Sequence, residues 1–264
     1  MTVGVPRDGR AVGRSAPTLL AVAHGTADQD GLAQVHALVE RVRRSRPGLR
    51  VELCYLDVLG PSLTDTLAAQ TGEVVVVPLL LGPGYHTRVD IPTAVAEATR
   101  TTGVRARVAP PLGPHPLLAQ ALADRLVEAG WRRQPVRAGV MNASVGRTPA
   151  SPRPGESGQA TEVVLAAAGS RDPDAWRATT TMAQLLRARL GVAVTPAFVH
   201  NPAHRLTDVV AAAGRVAVAA YLLASGFFWR RTAEAGGVLT SPPLGDHPAV
   251  VRLILRRYDE ARTA

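Results

Sequence analysis

Three reactive side chains in the first half of the chain stand at or near the ends of apolar runs. His24 follows LLAVA, Asp57 follows ELCYL, and His86 comes shortly after VVVVPLLL. Two imidazoles and a carboxylate suit a borderline divalent ion such as Fe²⁺, Co²⁺, Ni²⁺ or Zn²⁺. A neutral imidazole, whose ordinary pKa is about 6.5, can also accept a proton near neutral pH. These residue types predict a metal site that can also act as a base.

The elements that must position these residues follow from hydrophobic periodicity. Apolar runs that alternate with helical patterns predict a parallel sheet with crossover helices. The first half has predicted strands at 18–23, 51–56, 74–80 and 104–109. Its helices are predicted at about 28–44, 62–70, 92–102 and 116–129, with Asp90 capping the third. A flavodoxin-like strand order, 2-1-3-4, would bring all three reactive residues to the carboxyl edge, where such sheets bind ligands.

The second half of the chain repeats the first. Besides the similar turns at 21–30 and 166–175, three segments match in order: 57–65 with 200–208, 74–86 with 216–228, and 110–116 with 242–248. Matched positions lie 144, 143, 142 and 132 residues apart, which predicts two copies of one α/β unit. We assign domains to 18–131 and 162–264, a disordered tail to 1–17, and a flexible linker rich in Pro, Gly, Ser and Arg to 132–161.

Comparing the two copies separates structural residues from reactive ones. His115 and His247 both precede proline in matching turns, so we interpret them as structural. The three reactive positions do not recur: His24, Asp57 and His86 are replaced by Ala168, His200 and Phe228. The first copy is therefore predicted to carry the site and the second to close the pocket. His200 and His204 have the spacing of a helical metal pair, but Pro202 between them argues for a loop or helix start.

Composition narrows the function classes. The net charge of +9 would suit nucleic acid, yet the basic residues are scattered arginines and there is no lysine, so an acidic small molecule is the favoured partner. The single cysteine, Cys54, argues against iron–sulfur and zinc-finger sites. Without an 18-residue apolar run or an apolar leader, we expect a cytoplasmic protein that binds neither nucleic acid nor membranes.

Four segments together resemble the class II tetrapyrrole chelatases of the sirohydrochlorin chelatase family, in their two-domain form. They are LLAVAHGT, CYLDVLGPSL, VVVVPLLLGPGYHTRVDIP and APPLGPHP. The resemblance implies two tandem flavodoxin-like, chelatase-type domains and a metal-inserting lyase of sirohaem or cobalamin biosynthesis. It also implies that His24 and His86 bind the incoming metal and accept pyrrole protons. The family commonly has glutamate at the position of Asp57, one methylene longer than the aspartate here.

The resemblance further implies sirohydrochlorin, which carries eight carboxylates, as the substrate. Fe²⁺ or Co²⁺ would be a second substrate, with no permanently bound cofactor. Arg88 is then predicted to clamp an acetate or propionate, and Tyr85 with the Gly84 loop to cover the ring face. We expect a ferrochelatase acting as a monomer with a pseudo-dimeric domain arrangement. The alternatives are a cobaltochelatase, a non-catalytic metal or tetrapyrrole carrier, and a basic nucleic-acid-binding module.

Overall fold

The computed structural model describes residues 16–132, 160, 162–170 and 172–264. The predicted linker and tail therefore lie outside the described residues, apart from residues 16, 17, 132 and 160. In the first half, the strands are β1 Thr18–Ala23, β2 Val51–Tyr55, β3 Glu73–Pro78 and β4 Arg105–Val108. Its helices are α1 Gln29–Ser45, α2 Leu63–Ala68, α3 Ile91–Thr102 and α4 Pro116–Glu128.

The second half has the same order of elements. Its strands are β5 Glu162–Ala167, β6 Val194–Phe198, β7 Val216–Tyr221 and β8 Leu239–Thr240. Its helices are α5 Pro173–Leu190, α6 Leu206–Ala213, α7 Phe227–Ala233 and α8 Pro248–Thr263. The two parallel sheets have the orders β2-β1-β3-β4 and β6-β5-β7-β8, which confirms the predicted pair of flavodoxin-like units. No helix in the described part of the chain is both long and apolar enough to cross a membrane.

Central strands that are covered by helices on both faces explain the continuous apolar runs. Every residue of β1 is buried, and so are all residues of β3 after Glu73. The helix after β1 begins where Asp28 accepts a hydrogen bond from the Gly31 amide at 2.9 Å. The predicted cap at Asp90 is wrong, because its side chain makes no capping bond. A π-helical turn at His86–Asp90 leads directly into α3 instead, so the chain is already helical at Asp90.

The two halves share one hydrophobic core. Helices α1 and α4 of the first half pack against α5 and α8 of the second. The buried side chains that these helices contribute include Val35, Leu122, Leu126, Met182, Leu186, Val250 and Ile254. Burial of several large aliphatic side chains contributes about 1.5–3 kcal/mol each, so this packing dominates the association of the halves.

Arginines add polar contacts along the boundary between the halves, which we call the seam. Arg46 meets the Asp259 carboxylate through two N–O contacts of 2.7 Å. Arg125 donates to the Leu244 carbonyl at 2.9 Å. Partly exposed ion pairs stabilise by at most about 1 kcal/mol each, so they align the halves more than they hold them together. Part of the arginine excess in the sequence therefore belongs to the seam.

His115 and His247 begin equivalent helices. The Nδ1 atom of His115 accepts a hydrogen bond from the Leu117 amide at 3.1 Å, and that of His247 accepts from the Ala249 amide at 3.2 Å. Both histidines thus have the structural role expected from their recurrence. Burial lowers the pKa of His247, although Asp124, 3.3 Å from its Nε2, opposes this. A cap of this kind requires an unprotonated Nδ1.

We predict that His247→Asn flattens the pH dependence of stability. The folded-state pKa of His247 lies below its unfolded value, so the unfolded chain binds the extra proton as pH falls through about 6.5. Wild-type stability should therefore be full above that pH and decline below it. Asparagine also caps helices well but does not titrate. Urea unfolding at pH 7 and pH 5 measures the difference, and an unchanged slope in His247→Asn would contradict the prediction.

Candidate functional site

The structure brings the two predicted imidazole ligands together at the carboxyl edge of the first sheet. The ring centroids of His24 and His86 are 4.8 Å apart, and the rings meet edge to face at 87°. Two imidazoles bound to one ion, each at about 2.1 Å, place their centroids roughly 4.5–5.5 Å apart when their bonds are near 90–110°. The observed pair therefore has the separation that a shared divalent ion requires.

A close backbone approach places His24 at this edge. Gly25 follows it with φ of 101°, and a Cβ added there would lie 2.0 Å from the Asp57 carbonyl oxygen. The Asp57 amide in turn donates to the His24 carbonyl at 3.0 Å. Gly169 repeats the arrangement, since a Cβ there would lie 2.7 Å from the His200 carbonyl oxygen. The turn therefore requires glycine in both halves, whereas the histidine before it is present in the first half alone.

The Asp57 carboxylate is held locally. Its Oδ1 accepts a hydrogen bond from the Val58 amide at 2.7 Å. Within the described residues, no three His, Cys, Asp or Glu side chains are grouped so as to hold a metal ion. Burial raises the pKa of the Cys54 thiol to about 12, which makes it a poor ligand. The observed arrangement is a pair of partly exposed imidazoles, and ligation by Asp57 stays a prediction.

Asp90 is a site residue that sequence reasoning missed. Its Oδ2 lies 2.6 Å from Nδ1 of His86, within the π-helical turn that both residues occupy. When Nδ1–H donates to this carboxylate, the ring is fixed and Nε2 is left free for a metal. The i,i+4 spacing of His86 and Asp90 was the signal in the sequence, but it was interpreted as a helix cap. Asp90 orients His86.

The Gly84 loop is braced rather than loose. The Gly84 amide donates to the Thr87 hydroxyl at 2.9 Å, and that hydroxyl donates back to the Gly84 carbonyl at 2.9 Å. Tyr85 projects from this loop with 67% of its surface exposed. Its ring centroid lies 6.4 Å from that of His86. An exposed aromatic ring beside the imidazole pair is free to contact a ligand, and the covering of a ring face by Tyr85 stays a prediction.

Arg88 forms ion pairs across the seam. Its guanidinium contacts Asp172 and lies 2.7 Å from an Asp174 oxygen. The contact with Arg88 is the main cause of the lowered pKa of Asp174. The predicted clamp on a substrate carboxylate therefore requires Arg88 to exchange these partners. A cavity of about 670 Å³ opens here, lined by Tyr85, Arg88, Val89, Ser170, Asp172, Pro173, Asp174 and Arg177.

A second cavity, of about 500 Å³, adjoins the first at Ser170, Asp172 and Pro173. His200 and His204 line it, and His204 stacks on Trp176 with ring centroids 3.9 Å apart. His204 lies in a short 3₁₀ turn, Pro202–His204, with His200 before it. The pair is therefore not on one helix face. The loop interpretation, rather than the helical metal pair, describes this segment.

A family model named CbiX matches residues 18–129 and 162–261, which include both sheets and the imidazole pair. The chain belongs to the CbiX family. Two relatives show what this CbiX-family chain is similar to. Over 113 residues it is 31% identical to the chloroplastic sirohydrochlorin ferrochelatase of Arabidopsis thaliana, covering 41% of this chain and 50% of that protein. Over 164 residues it is 27% identical to the sirohydrochlorin cobaltochelatase of Priestia megaterium, covering 60% and 46%.

The chain thus spans about half the length of the curated relatives it matches. A solved structure matches more completely: the sirohydrochlorin chelatase SirB from Bacillus subtilis subspecies spizizenii in complex with cobalt. Its TM-score is 0.71 at 22% sequence identity, and the match covers 94% of this chain and 96% of that one. At this identity, the likeness establishes that the CbiX-family chain shares the two-unit fold.

We predict that Gly25→Ala disrupts the imidazole pair. Alanine would suffer both from the positive φ and from the 2.0 Å approach to the Asp57 carbonyl, which forces the two turns apart. We expect a loss of at least about 3 kcal/mol in unfolding free energy, with weakened Co²⁺ binding.

Gly48→Ala is the matched control for that substitution. Gly48 also has a positive φ, of 86°, but nothing lies within 4 Å of an added Cβ. It should cost about 1 kcal/mol and leave Co²⁺ affinity unchanged. Denaturant unfolding and cobalt titration followed by visible absorption compare the two variants. Equal losses of stability and affinity in both would show that the close approach is unimportant.

Proposed function

We propose that this chain is a sirohydrochlorin ferrochelatase, which inserts Fe²⁺ into sirohydrochlorin to form sirohaem. The observation that carries the proposal is the His24–His86 pair, with centroids 4.8 Å apart at the sheet edge of a CbiX-family chain. The names of its relatives, one a sirohydrochlorin ferrochelatase, support the choice of substrate. The second half lacks both histidines, so one chain offers one such site among its described residues.

The chemistry of insertion matches the residues present. Two pyrrole N–H bonds break, metal–nitrogen bonds form, and two protons leave the ring as the ion enters it. His24 and His86 supply nitrogen ligands of moderate strength, which hold a divalent ion and then release it to the four ring nitrogens. Each imidazole that the metal leaves can accept a proton. The Asp90 carboxylate keeps the His86 ring oriented.

Two arginines and two aspartates line the larger cavity, so a substrate carboxylate would compete there with Asp172 and Asp174 for the guanidinium groups. Sirohydrochlorin carries eight carboxylates, and the chain has a net charge of +9. Arg88 and Arg177 line the larger cavity together with Tyr85, the residue before His86. A substrate carboxylate would replace Asp174 as the partner of Arg88, exchanging one charge-assisted contact for another. Entry of the substrate thus need not leave an unpaired guanidinium.

Cobalt insertion on the route to cobalamin is the second candidate function. It is favoured by the similarity to a sirohydrochlorin cobaltochelatase. Imidazole and carboxylate ligands accept both ions, so the two candidates share one site and one mechanism. They differ in the relative rates with Fe²⁺ and Co²⁺, which are directly measurable.

We predict that purified protein accelerates the metallation of sirohydrochlorin well above the spontaneous rate, with His24→Ala and His86→Ala each at least about 100-fold slower. Anaerobic assays with Fe²⁺ and with Co²⁺, followed by visible absorption, provide the rates. His36→Ala is the control and should match the wild-type rate, because the exposed His36 ring contacts the Tyr55 hydroxyl at 3.0 Å and not the imidazole pair. Wild-type rates in both site variants would refute the assignment. Tight binding of metal and tetrapyrrole without acceleration would identify a carrier.

We predict that Asp90→Asn lowers Co²⁺ affinity by about 10–100-fold, because an amide orients His86 less firmly than a carboxylate does. Asp65→Asn is the control, since the Asp65 carboxylate contacts Ser62 on the far side of β2. Cobalt titration and the visible spectrum of the bound ion report on His86 directly. A lowered melting temperature with unchanged cobalt binding would mean that Asp90 acts only in folding.

A further inference from the structure

Two adjacent aromatic side chains stand exposed in the second half. Phe227 and Phe228 begin α7 with 54% and 40% of their surfaces accessible, and their rings meet edge to face with centroids 5.4 Å apart. The whole sequence has three phenylalanines, and the third, Phe198, is buried. Large exposed apolar side chains that adjoin one another are typical of binding sites. We call the pair the aromatic wall.

The aromatic wall occupies the position that Tyr85 and His86 have in the first half. Phe227 and Phe228 correspond to Tyr85 and His86, 142 residues earlier. The duplicated position has therefore exchanged an imidazole for a phenyl ring, while the preceding residue remains aromatic. A phenyl ring cannot ligate a metal, but it presents a flat apolar surface. The second half has lost the ligand and kept a surface for planar groups.

Contacts on both sides of the aromatic wall tie it to the turn that follows His24. Before the wall, a Cβ added to Gly226 would lie 3.6 Å from Cβ of Asp28. After it, Arg230 forms an ion pair with the Asp28 carboxylate. That carboxylate also caps α1, and the Gly31 amide is the first cause of its lowered pKa, with Arg230 next. The wall is thereby held next to the turn that leads from His24 into α1.

The charges next to the aromatic wall indicate what it binds. Arg231 lies over the Phe227 ring at 5.5 Å and pairs with Glu234, while Arg230 pairs with Asp28. Both arginine side chains are still more than half exposed, at 60% and 58%. Apolar rings edged by guanidinium groups suit a planar ligand with an anionic periphery. A second copy of this chain fits less well, because a symmetric contact would bring these arginines against one another.

We propose that Phe227 and Phe228 stack against the tetrapyrrole and hold it over the imidazole pair of the other half. This inference rests on the proposed function, whose substrate it uses. The first half presents the metal through His24 and His86, and the second half fixes the plane of the ring that receives it. The proposal gives the degenerate copy a binding role in place of the metal site that it lacks.

The test is the affinity of the full chain for metal-free sirohydrochlorin, measured by absorption and by quenching of tryptophan fluorescence. The double variant F227A/F228A should raise the Kd about tenfold or more, because it removes two stacking rings. Its Co²⁺ affinity without tetrapyrrole should equal that of wild type. F227L/F228L keeps the apolar character without the rings, and it should also weaken binding. Unchanged tetrapyrrole affinity in both double variants would overturn the proposal.

A control and a rival occupant complete the test. Val238 is 41% exposed, and its amide donates a hydrogen bond to the Val216 carbonyl at the amino edge of the second sheet. Because that edge is opposite the candidate site, Val238→Ala should leave the Kd unchanged. An equal effect of Val238→Ala would overturn the proposal. Sedimentation measures self-association: conversion of a dimer to a monomer by F227A/F228A, with tetrapyrrole affinity unchanged, would also overturn it.

The two proposals fail separately in these experiments. Suppose that wild type binds sirohydrochlorin without metallating it and that F227A/F228A binds it more weakly. The proposed function is then wrong, and the proposal that the aromatic wall stacks on the ring is supported. Suppose instead that wild type metallates sirohydrochlorin and that F227A/F228A binds it as tightly as wild type does. The proposed function is then supported, and the proposal that the aromatic wall stacks on the ring is wrong.

Discussion

The apolar packing of α1 and α4 against α5 and α8 is the interaction on which the rest of the structure depends. It merges the cores of the two halves and therefore sets how their carboxyl sheet edges face one another. Without it, the partly exposed ion pairs of the seam would not hold the halves together, since each contributes little in water. Site residues from both halves, such as Arg88 and Asp174, meet only because the helical faces are complementary.

The two copies share a backbone but differ in the side chains of the candidate site. Gly25 and Gly169 allow equivalent close approaches between neighbouring turns, and the capping residues Asp28 and Asp172 begin equivalent helices. Each cap also pairs with an arginine of the opposite half, Arg230 in one case and Arg88 in the other. These contacts preserve the fold and its pseudo-symmetry. Ligand chemistry, by contrast, tolerates loss in one copy.

In the proposed function, the imidazole pair would suit a metal that must leave again. Two protein nitrogens at a partly exposed edge bind a divalent ion less firmly than a closed set of four ligands would. Asp90 compensates by orienting His86, which lowers the cost of ordering the ring when a metal binds. The same openness leaves coordination positions for a second ligand. In this proposal, His24 and His86 would bind the metal weakly, and Asp90 would preorganise the His86 ring.

Sequence patterns were sufficient to predict the helices and strands and to single out His24 and His86. Hydrophobic periodicity and turn residues depend on near neighbours, so β1 was predicted without error and the other strands of the first half within two residues. The α/β rhythm predicted a parallel sheet, and the flavodoxin-like strand order assumed for it, which the structure confirms, placed His24 and His86 at one edge. Internal repetition marked which histidines were needed by the backbone, because those recur before proline in both copies.

Tertiary structure decided the contacts between residues that are distant in sequence. Arg88 meets Asp172 and Asp174 across the seam, and no local pattern encodes a pairing that depends on how two folded surfaces fit. The role of Asp90 depended on a π-helical turn, which rotates side chains differently from the helix start that was predicted. The exposure of Phe227 and Phe228 was equally hidden, because the sequence shows that a residue is apolar but not whether anything covers it.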